Sequence, residues 1–329
     1  MHKETAVEKK LRETASGLFP DEVECLVGYT QSDIAGRTNP VFIKEKAEAG
    51  KLIFDRFCIN NLSVYPYYMK DEFMGSIGVV LKPCDVKSIA QLISEELLDK
   101  KKIKSVVVGC GGVIDIKRIQ RNIGGGRIIS AAQSGDSIEI NTADKSYTLK
   151  MADFYAEKCY GCRIYDSPPY SDIFIENDEK LPVVPQNSNP DLLDILEKSE
   201  LEEILAFWEK EFSRCIRCYA CRNICPMEVC RDRCIAQLDL PRWQSGKINS
   251  DEGKFFQLIR VMHLAGRCTE CGECQRVCPA NIPLVTFMKK VNKEILRLFD
   301  YVPGMDSQAR PPLLTFKNVE KNIKEEELF

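Results

Sequence analysis

The sequence predicts a protein in two parts, an α/β first domain built on a mixed sheet with flanking helices and a mainly α-helical C-terminal domain. Short apolar runs separated by an amphipathic segment, in the order strand, helix, strand, predict the first domain. Longer segments with apolar residues at helical spacing predict the second. A chain of 329 residues is long enough for each part to have its own core.

The first domain is assigned to residues 1–185 and begins with a short charged helix at 1–16. Apolar residues in Asp85–Leu98 recur at helical spacing, and Asp85 is placed as the N-cap of that helix. The candidate strands are Gly75–Leu81, Ser105–Gly109, Arg127–Ser130 and Ser137–Asn141.

Residues 181–190 are rich in Pro, Asn and Ser and are interpreted as the linker to the second domain, which is assigned to 191–300. Its predicted helical segments are Asp191–Phe212, which forms one or two helices, Gly253–Leu264 and Leu284–Phe299. Each of the first two leads directly into a cysteine-rich run, which makes a weak internal repeat. Residues 301–329 are expected to form an extended tail on a surface or on a partner.

Charge and hydropathy exclude several classes of function. The formal net charge is −3, and no polybasic block indicates nucleic acid or an anionic membrane as a partner. There is no run of 18 apolar residues, so no transmembrane segment is expected. The charged N-terminus lacks the apolar region of a secretory signal, and we expect a cytoplasmic protein.

Cysteine is unusually frequent, with 16 in the chain against only two histidines. Disulfide frameworks belong to small secreted domains, and this chain has the features of neither. Clustered cysteines in a reducing compartment indicate metal ligands. With so few histidines, a mixed Cys/His zinc site is nearly excluded, and the predicted ligands are thiolates.

Two complete C-x-x-C-x-x-C-x-x-x-C-P runs identify the metal. The first run spans 215–226 and the second 268–279. Three cysteines at this spacing wrap one 4Fe–4S cluster, and the fourth, followed by Pro, ligates the other cluster. A pair of structural zinc sites is the alternative, but zinc knuckles need neither the third cysteine nor the Pro. The second domain is therefore predicted to be of the dicluster ferredoxin type.

The predicted ligation is crossed between the two runs. One cluster is assigned Cys215, Cys218, Cys221 and Cys278, and the other is assigned Cys268, Cys271, Cys274 and Cys225. Arginines near the first run either raise the cluster potentials or form a solvated or docking face: Arg214, Arg217, Arg222, Arg231 and Arg233. No role follows from the sequence for Cys25, Cys58, Cys230 and Cys234.

Four cysteines of the first domain are candidates for a third 4Fe–4S cluster. Cys84 and Cys110 each follow a predicted strand, and Cys159 and Cys162 form a C-x-x-C pair. In a parallel sheet the first two lie at the same edge, where open α/β sheets hold their ligands. Small buried thiols are the alternative, and spacing alone leaves the two interpretations open.

The order strand–Pro-Cys84, strand–Cys110, then Cys159-x-x-Cys162 followed by Tyr170–Ile173 resembles the beta subunits of coenzyme F-420-reducing hydrogenases and of formate dehydrogenases. The resemblance covers roughly residues 20–180. It implies that these four cysteines hold a cluster, and that FAD is bound near it. The part around the second run resembles the dicluster half of relatives that accompany formate dehydrogenases or heterodisulfide-reductase-like complexes.

No G-x-G-x-x-G sequence marks a flavin site, so glycines near the strands are the candidates. They let the backbone approach a pyrophosphate, or else simply make tight turns. The candidate flavin contacts are Gly75, Gly78, Lys82, Gly109, Gly111 and Gly112. The tight-turn interpretation is favoured for Gly124–Gly126.

These features predict an iron–sulfur flavoprotein subunit that relays electrons between a two-electron carrier and a chain of clusters. The resemblance implies F-420, NAD(P)H or formate-derived electrons as the source. It also implies a catalytic dehydrogenase or hydrogenase subunit, or heterodisulfide-reductase-like subunits, as partners. The alternative is a flavin-free adaptor that only wires such proteins together. No nucleophile–His–Asp arrangement indicates a hydrolase, and no catalytic residue is assigned.

Overall fold

A computed structural model of the protein describes residues 4–160, 162, 164, 168–177, 192–227, 234–236, 238 and 243–316. A five-stranded sheet forms the centre of the first part, in the order β2-β1-β3-β4-β8. Only the β1–β2 pair is antiparallel, so the sheet is mixed, as predicted. Its strands are β1 (Cys25–Gln31), β2 (Thr38–Ile43), β3 (Ile77–Leu81), β4 (Ile103–Val108) and β8 (Ile173–Ile175).

Strand β3 lies in the middle of the sheet, and all five of its residues are buried. A parallel strand covered on both faces needs such a continuous apolar run. Helix α1 (Ala6–Leu18) begins with a capping box between Thr5 and Glu8. A short helix, α2 (Val64–Met69), precedes β3.

The predicted strand–helix–strand unit is confirmed, because β3 and β4 are parallel and α3 (Pro83–Ser94) connects them. The predicted N-cap is wrong. Lys82 is the cap residue, and Asp85 lies inside the first turn, fully buried, with its carboxylate 2.7 Å from Lys82 Nζ. Pro83 begins the helix, because a first-turn residue needs no N–H donor.

Helix α3 ends four residues earlier than the predicted Leu98. Glu96 has a left-handed backbone with φ of 59°. The N–H of Leu97 then donates to the carbonyl of Leu92 at 2.9 Å, and the N–H of Glu96 to that of Ile93 at 2.9 Å. This pair of bonds is a Schellman motif, which closes the helix without a glycine.

A separate three-stranded antiparallel sheet follows in the order β5-β6-β7. Its strands are β5 (Ile128–Ser134), β6 (Ser137–Thr142) and β7 (Ser146–Lys150), of which β7 was not predicted. Helix α4 (Ile116–Asn122) contributes Ile119 to the apolar core beneath this sheet.

The second part is mainly helical, as predicted. Its helices are α5 (Leu192–Leu196), α6 (Leu201–Ser213), α7 (Ala220–Asn223), α8 (Ser250–Leu264), α9 (Glu273–Val277) and α10 (Leu284–Phe299). Stacked and tilted aromatic rings join α6 to α10, with Trp208 5.3 Å from Phe212 and 4.8 Å from Phe287 between ring centroids. The predicted linker at 181–190 lies outside the described residues.

The two parts share one core. Met227, Leu264 and Met288 of the helical part are buried in the same apolar cluster as strands β1, β3 and β4. The segment after α10 also returns to the first part, where the buried Tyr301 donates its hydroxyl to Gln91 Oε1 at 2.9 Å. Among the described residues, no helix has the length and apolar character needed to cross a membrane.

Candidate metal centres

The first cysteine run surrounds a cavity of about 330 Å³ together with one residue of the second run. Cys215, Cys218 and Cys221 line it from one side and Cys278 from the other. Three of these cysteines are buried, and Cys218 is exposed. The structure thus brings together the four cysteines that the crossed assignment placed on one cluster.

The second run surrounds a cavity of about 340 Å³ in the same manner. Cys268, Cys271 and Cys274 line it, and Cys225 completes the set from the end of the first run. The crossing arises because α7 and α9 carry the fourth cysteine of each run away from the first three. No single-ion site made of three or more His, Cys, Asp or Glu side chains occurs in the described ranges.

The two runs repeat the same backbone conformation. In the first, Arg217 and Tyr219 have φ of 48° and 58°, and in the second, Glu270 and Gly272 have φ of 58° and 78°. Each left-handed residue lies immediately before or after the middle cysteine of its run. Such conformations carry strain in non-glycine residues, and they persist where the surrounding structure requires them. Here they turn successive cysteines toward one point, so the weak sequence repeat is a true structural one.

The four candidate cysteines of the first part surround a third cavity, of about 310 Å³. Cys84 lies in the first turn of α3 and Cys110 follows β4, at the carboxyl edge of two parallel strands, as predicted. Cys159 and Cys162 approach from the chain after the second sheet.

Backbone N–H groups point at two sulfurs of this third cavity. The N–H of Gly112 lies 3.4 Å from Cys110 Sγ, and that of Val113 lies 3.4 Å from Cys159 Sγ. Without metal, burial raises the pKa of the Cys159 thiol to about 12, the nearby Cys110 raises it further, and the Val113 N–H opposes both. N–H groups directed at sulfur favour the thiolate that a metal ligand must be.

Two buried lysines share one carboxylate beside the third cavity. Lys82 and Lys158 both line it, with side chains 0% and 5% exposed. Asp85 lies 2.7 Å from Lys82 Nζ and 3.6 Å from Lys158 Nζ. Burial lowers the pKa of each lysine, but the Asp85 carboxylate, Cys84 and other nearby groups together outweigh burial, and both pKa values are raised.

This charge balance tests whether the third site fits a cluster. One carboxylate neutralises one of the two ammonium groups and leaves a positive charge in the interior. A buried charge is costly unless an opposite charge lies nearby. A cubane held by four thiolates is anionic, so the residues around Cys84, Cys110, Cys159 and Cys162 fit one.

Arg260 shows the same fit at the second cavity, which it lines. It is 4% exposed, and its Nε finds no hydrogen-bond partner within the described ranges. Burial lowers the pKa of this guanidinium, but Cys274, Cys221, Cys225 and Cys268 together raise it above its ordinary value. Sequence reasoning missed Arg260; the available signal was a charged residue between Phe256 and Leu264 on the apolar face of α8.

The arginines singled out near the first run bind other groups. Arg217 pairs with Glu252 at 3.6 Å and donates to the carbonyl of Lys247, and Arg214 pairs with Glu211. Arg222 is buried and donates to its neighbour Asn223 at 3.2 Å. Arg231 and Arg233 lie outside the described residues. The described arginines of this set therefore serve mainly the local structure of the run.

The cysteines without an assigned role also have places in the fold. Cys25 and Cys58 are buried in the core around the five-stranded sheet. Cys234 is buried in the apolar cluster that surrounds the first cavity. Cys230 lies outside the described residues.

The candidate flavin contacts are not brought together at one surface. Gly75 donates its N–H to Glu24 Oε2 at 2.7 Å, and a Cβ on Gly78 would lie 2.6 Å from Leu26 Cδ1. A Cβ on Gly109 would lie 3.0 Å from the backbone nitrogen of Asn177, and one on Gly111 would overlap the Arg56 guanidinium. Lys82 and Gly112 line the third cavity.

A larger cleft of about 550 Å³ lies between the two parts. Lys158 and Cys271 line it, so it borders residues of both the third and the second cavity. Lys117 Nζ crosses the cleft to donate to the carbonyl of Arg276 at 2.6 Å. The cations on its walls are Lys117, Arg121, Lys158 and Arg276, and the acids are Asp115, Glu157 and Glu273.

The two cysteine runs fold around two cavities of nearly equal size, and the fourth cysteine of each run lines the cavity of the other. This arrangement defines an iron–sulfur protein of the dicluster class. Residues 211–282 match the family described as 4Fe-4S dicluster domain, which agrees with the predicted clusters.

Among curated proteins, the chain is similar to an F420-dependent formate dehydrogenase subunit beta of Methanocaldococcus jannaschii. The two are 36% identical over 124 residues, which is 37% of this chain and 32% of the relative, so the match spans about a third of that relative. It is also 25% identical over 304 residues to F420-dependent formate dehydrogenase 1 subunit beta of Methanococcus maripaludis, covering 75% of this chain and 76% of that protein. The resemblance to formate dehydrogenase beta subunits is confirmed.

Among solved structures, a chain of the F420-reducing [NiFe] hydrogenase complex from Methanosarcina barkeri matches 48% of this chain and 58% of its own length. The TM-score is 0.36 and the identity is 14%. A score of this size does not establish a shared fold.

Proposed function

We propose that this protein is an iron–sulfur flavoprotein subunit that relays electrons between a two-electron carrier and three 4Fe–4S clusters in a larger redox complex. The observation that carries the proposal is the set of three cavities of about 330, 340 and 310 Å³, each lined by four cysteines. The crossed cysteine sets are the ligands of the first two clusters. Cys84, Cys110, Cys159 and Cys162 are the ligands of the third.

The positions of the cavities suit a relay. Cys225 leaves the first run to line the second cavity, and Cys278 leaves the second run to line the first, so these two sites are interlocked. Lys158 of the third cavity packs against the second run at Gly272, where an added Cβ would lie 3.5 Å from Lys158 Cδ. The second site therefore adjoins both of the others. Cys218 is exposed, which puts one end of the relay at the surface.

The cleft between the two parts is the proposed flavin site. A flavin supplies the exchange between two-electron and one-electron chemistry, and 4Fe–4S clusters supply the one-electron steps. Lys117, Arg121 and Arg276 offer cationic groups to a pyrophosphate, and Cys271 and Lys158 put the cleft beside two of the cluster sites. This location replaces the scattered glycines as the preferred site, because most of them are occupied by side chains of the chain itself.

The relatives suggest the carrier and the partners. Two of them are named as F420-dependent formate dehydrogenase subunits, so we propose a deazaflavin as the two-electron carrier and formate as the electron source. A catalytic dehydrogenase or hydrogenase subunit would then bind this chain. A heterodisulfide-reductase-like partner would accept or supply electrons at the exposed end near Cys218.

The test is anaerobic purification followed by iron and flavin analysis. Three clusters give about 12 Fe per chain and two give about 8, on four irons per cubane. Cys159→Ser and Cys162→Ser should each remove about four Fe, while Cys25→Ala, a buried cysteine that lines none of the three thiol cavities, should keep all of them. A wild-type value near 8, unchanged in both serine variants, would overturn the third cluster.

Flavin analysis separates the relay from the adaptor. A stoichiometric flavin band, lost in Arg276→Glu but retained in the exposed Arg127→Glu, supports the cleft as its site. Full iron content with no flavin, and no reduction by reduced F-420 or NADH, would favour the flavin-free adaptor instead.

A further inference from the structure

A buried cation lies at each junction between neighbouring cysteine cavities. Arg260 lines the second cavity and lies one turn from Phe256 and Gln257, which line the first, and Lys158 lies between the second and the third. The two residues come from unrelated parts of the chain, one from helix α8 and the other from the turn before Cys159. We refer to Arg260 and Lys158 as the junction cations.

Helix α8 packs against both cysteine sets, with Phe256 and Gln257 at the first cavity and Arg260 at the second. The charge of Arg260 acts on Cys221 of the first set and on Cys274, Cys225 and Cys268 of the second. The side chain is 4% exposed, and no carboxylate within the described part of the chain pairs with it. Its Nε is buried without a hydrogen-bond acceptor. Sulfur-rich anions on both sides are the groups that would compensate this charge.

Lys158 is placed between its two sites by contacts along its whole length. Its aliphatic stem packs against Gly272 of the second run, next to Cys271. Its Nζ donates to the carbonyl of Ile59 at 3.0 Å and lies 3.6 Å from Asp85, beside the third cavity. Asp85 lies closer to Lys82, at 2.7 Å, so it neutralises Lys158 only in part.

Other cations at the boundary of the two parts are paired in the usual way. Arg267 lies one residue before the second run and forms a bidentate ion pair with Glu95. Its Nε is 2.9 and 3.0 Å from the two carboxylate oxygens. A cation that serves only to hold two elements together needs such a partner, because an uncompensated charge in the interior is costly. Arg260 has no such partner among the residues that the structure describes, and Lys158 shares Asp85 with Lys82.

We propose that Arg260 and Lys158 set the relative potentials of adjacent clusters, Arg260 for the first and second and Lys158 for the second and third. This rests on the proposed clusters. Adding an electron to an anionic cluster is easier beside a fixed positive charge, and the effect is large where the dielectric constant is low. Because each cation lies beside two cluster sites, it raises both midpoint potentials and keeps them close enough for an electron to pass between the two clusters. The second cluster lies beside both cations and is therefore stabilised most in its reduced form.

The test is an EPR-monitored redox titration of the anaerobically purified full chain. Arg260→Met removes one junction charge and Lys158→Met the other, while Arg260→Lys and Lys158→Arg keep them. The exposed Arg127→Met and Lys145→Met are matched controls. Each cluster signal is assigned by its loss in Cys218→Ser, Cys271→Ser or Cys162→Ser, one variant for each cysteine set.

The expected shifts form a crossed pattern. Arg260→Met lowers the midpoint potentials of the first and second clusters and leaves the third unchanged. Lys158→Met lowers those of the second and third and leaves the first unchanged. The charge-keeping variants and both surface controls stay near the wild type. Unchanged potentials in both methionine variants, or an equal shift of all three clusters, would overturn the proposal.

Iron content distinguishes loss of the third cluster from loss of the effect of the junction cations on potential. Wild-type protein with about 8 Fe per chain removes the third cluster and, with it, the role of Lys158, but leaves the prediction for Arg260 in force. If a methionine variant fails to load iron, the polar neutral variants Arg260→Gln and Lys158→Gln are titrated instead. Wild-type potentials in those variants contradict the proposal, and lowered potentials support it.

Discussion

The hydroxyl oxygens of Ser88 and Thr269 lie 2.8 Å apart in a buried hydrogen bond between residues 181 positions apart in the chain. Ser88 is on α3, one turn beyond Cys84, and Thr269 follows Cys268 in the second run. Asn61 donates a further hydrogen bond to Ser88 Oγ at 3.2 Å. This contact joins the element that carries Cys84, a candidate ligand of the third site, to the loop that carries Cys268 and Cys271, candidate ligands of the second.

Thr269→Val should therefore destabilise the protein by about 1 kcal/mol, the usual net value of one hydrogen bond. The shape of the side chain is kept, and Ser88 retains its bond from Asn61, so little else is lost. Denaturant unfolding of the cluster-loaded protein under anaerobic conditions measures the change. Thr148→Val, at an exposed position of β7, is the control and should leave the midpoint unchanged. Equal midpoints for both variants would contradict the expectation.

Crossed ligation predicts which cysteine variants resemble each other. Cys278→Ser, although in the second run, should give the same loss of EPR signal as Cys218→Ser of the first run, because both line one cavity. Cys225→Ser should match Cys271→Ser for the same reason. Each should lower iron content by about four atoms per chain. If Cys278→Ser instead matches Cys271→Ser, each run holds its own cluster.

The tail is anchored by a glycine that no other residue can replace. Gly304 has φ of 74°, and a Cβ at this position would overlap the carbonyl oxygen of Lys87 on α3. Its N–H donates to Gln91 Oε1 at 2.8 Å. Gly304→Ala should release the segment after Tyr301 and expose it to limited proteolysis.

Gly124→Ala is the matched control for this prediction. Gly124 has φ of 79° but nothing within 4 Å of its Cβ position. Its alanine variant has only the backbone cost of the left-handed region, about 1–2 kcal/mol. Gly304→Ala should be destabilised by more than Gly124→Ala, and the tail should be cleaved only in the former. Equal loss of stability without cleavage of the tail would show that the contact with Lys87 is unimportant.

Cys25 predicts an alkaline pH dependence. Burial raises the pKa of its thiol to about 11 from an ordinary value of 9.0. The folded state thus keeps the proton over a range where the unfolded chain has lost it. This contribution to stability is fully present below pH 9 and is lost as pH rises toward 11.

The comparison with Cys25→Ala isolates that contribution. The variant loses a small buried side chain and should be less stable at pH 7 by about 1 kcal/mol. The difference in unfolding free energy between wild type and variant should shrink between pH 9 and 11. A difference that stays constant from pH 9 to 11 would contradict the prediction, because it would mean that burial does not raise the pKa of the thiol above its value in the unfolded chain.

Much of the candidate site follows from local sequence. Three cysteines spaced by three residues converge within one loop, and a cysteine before Pro leaves that loop, so the crossing of Cys225 and Cys278 was predictable. The apolar run of β3 and the periodicity of α10, whose bounds Leu284–Phe299 match the prediction, are likewise local properties. Strands β1, β2, β7 and β8 were missed, because strand pairing depends on distant partners rather than on propensity.

Asp85 shows where local reasoning fails. An acidic residue near a helix start is a common N-cap, yet this one is buried in the first turn and holds Lys82 and Lys158. The candidate flavin glycines show the same dependence on distant residues, because the space beside Gly111 is taken by Arg56 and that beside Gly78 by Leu26.

The amino-acid sequence by itself determined that this protein carries a 4Fe–4S dicluster domain and which class of subunit it resembles, and it predicted the two crossed cysteine sets. Only the tertiary structure decided how the sets are arranged, with Arg260 and Lys158 at their junctions and Ser88 bonded to Thr269. The physical reason is the range of the interactions. Ligand spacing is set within a few residues of chain, whereas compensation of a buried charge depends on whichever groups the folded chain brings to it.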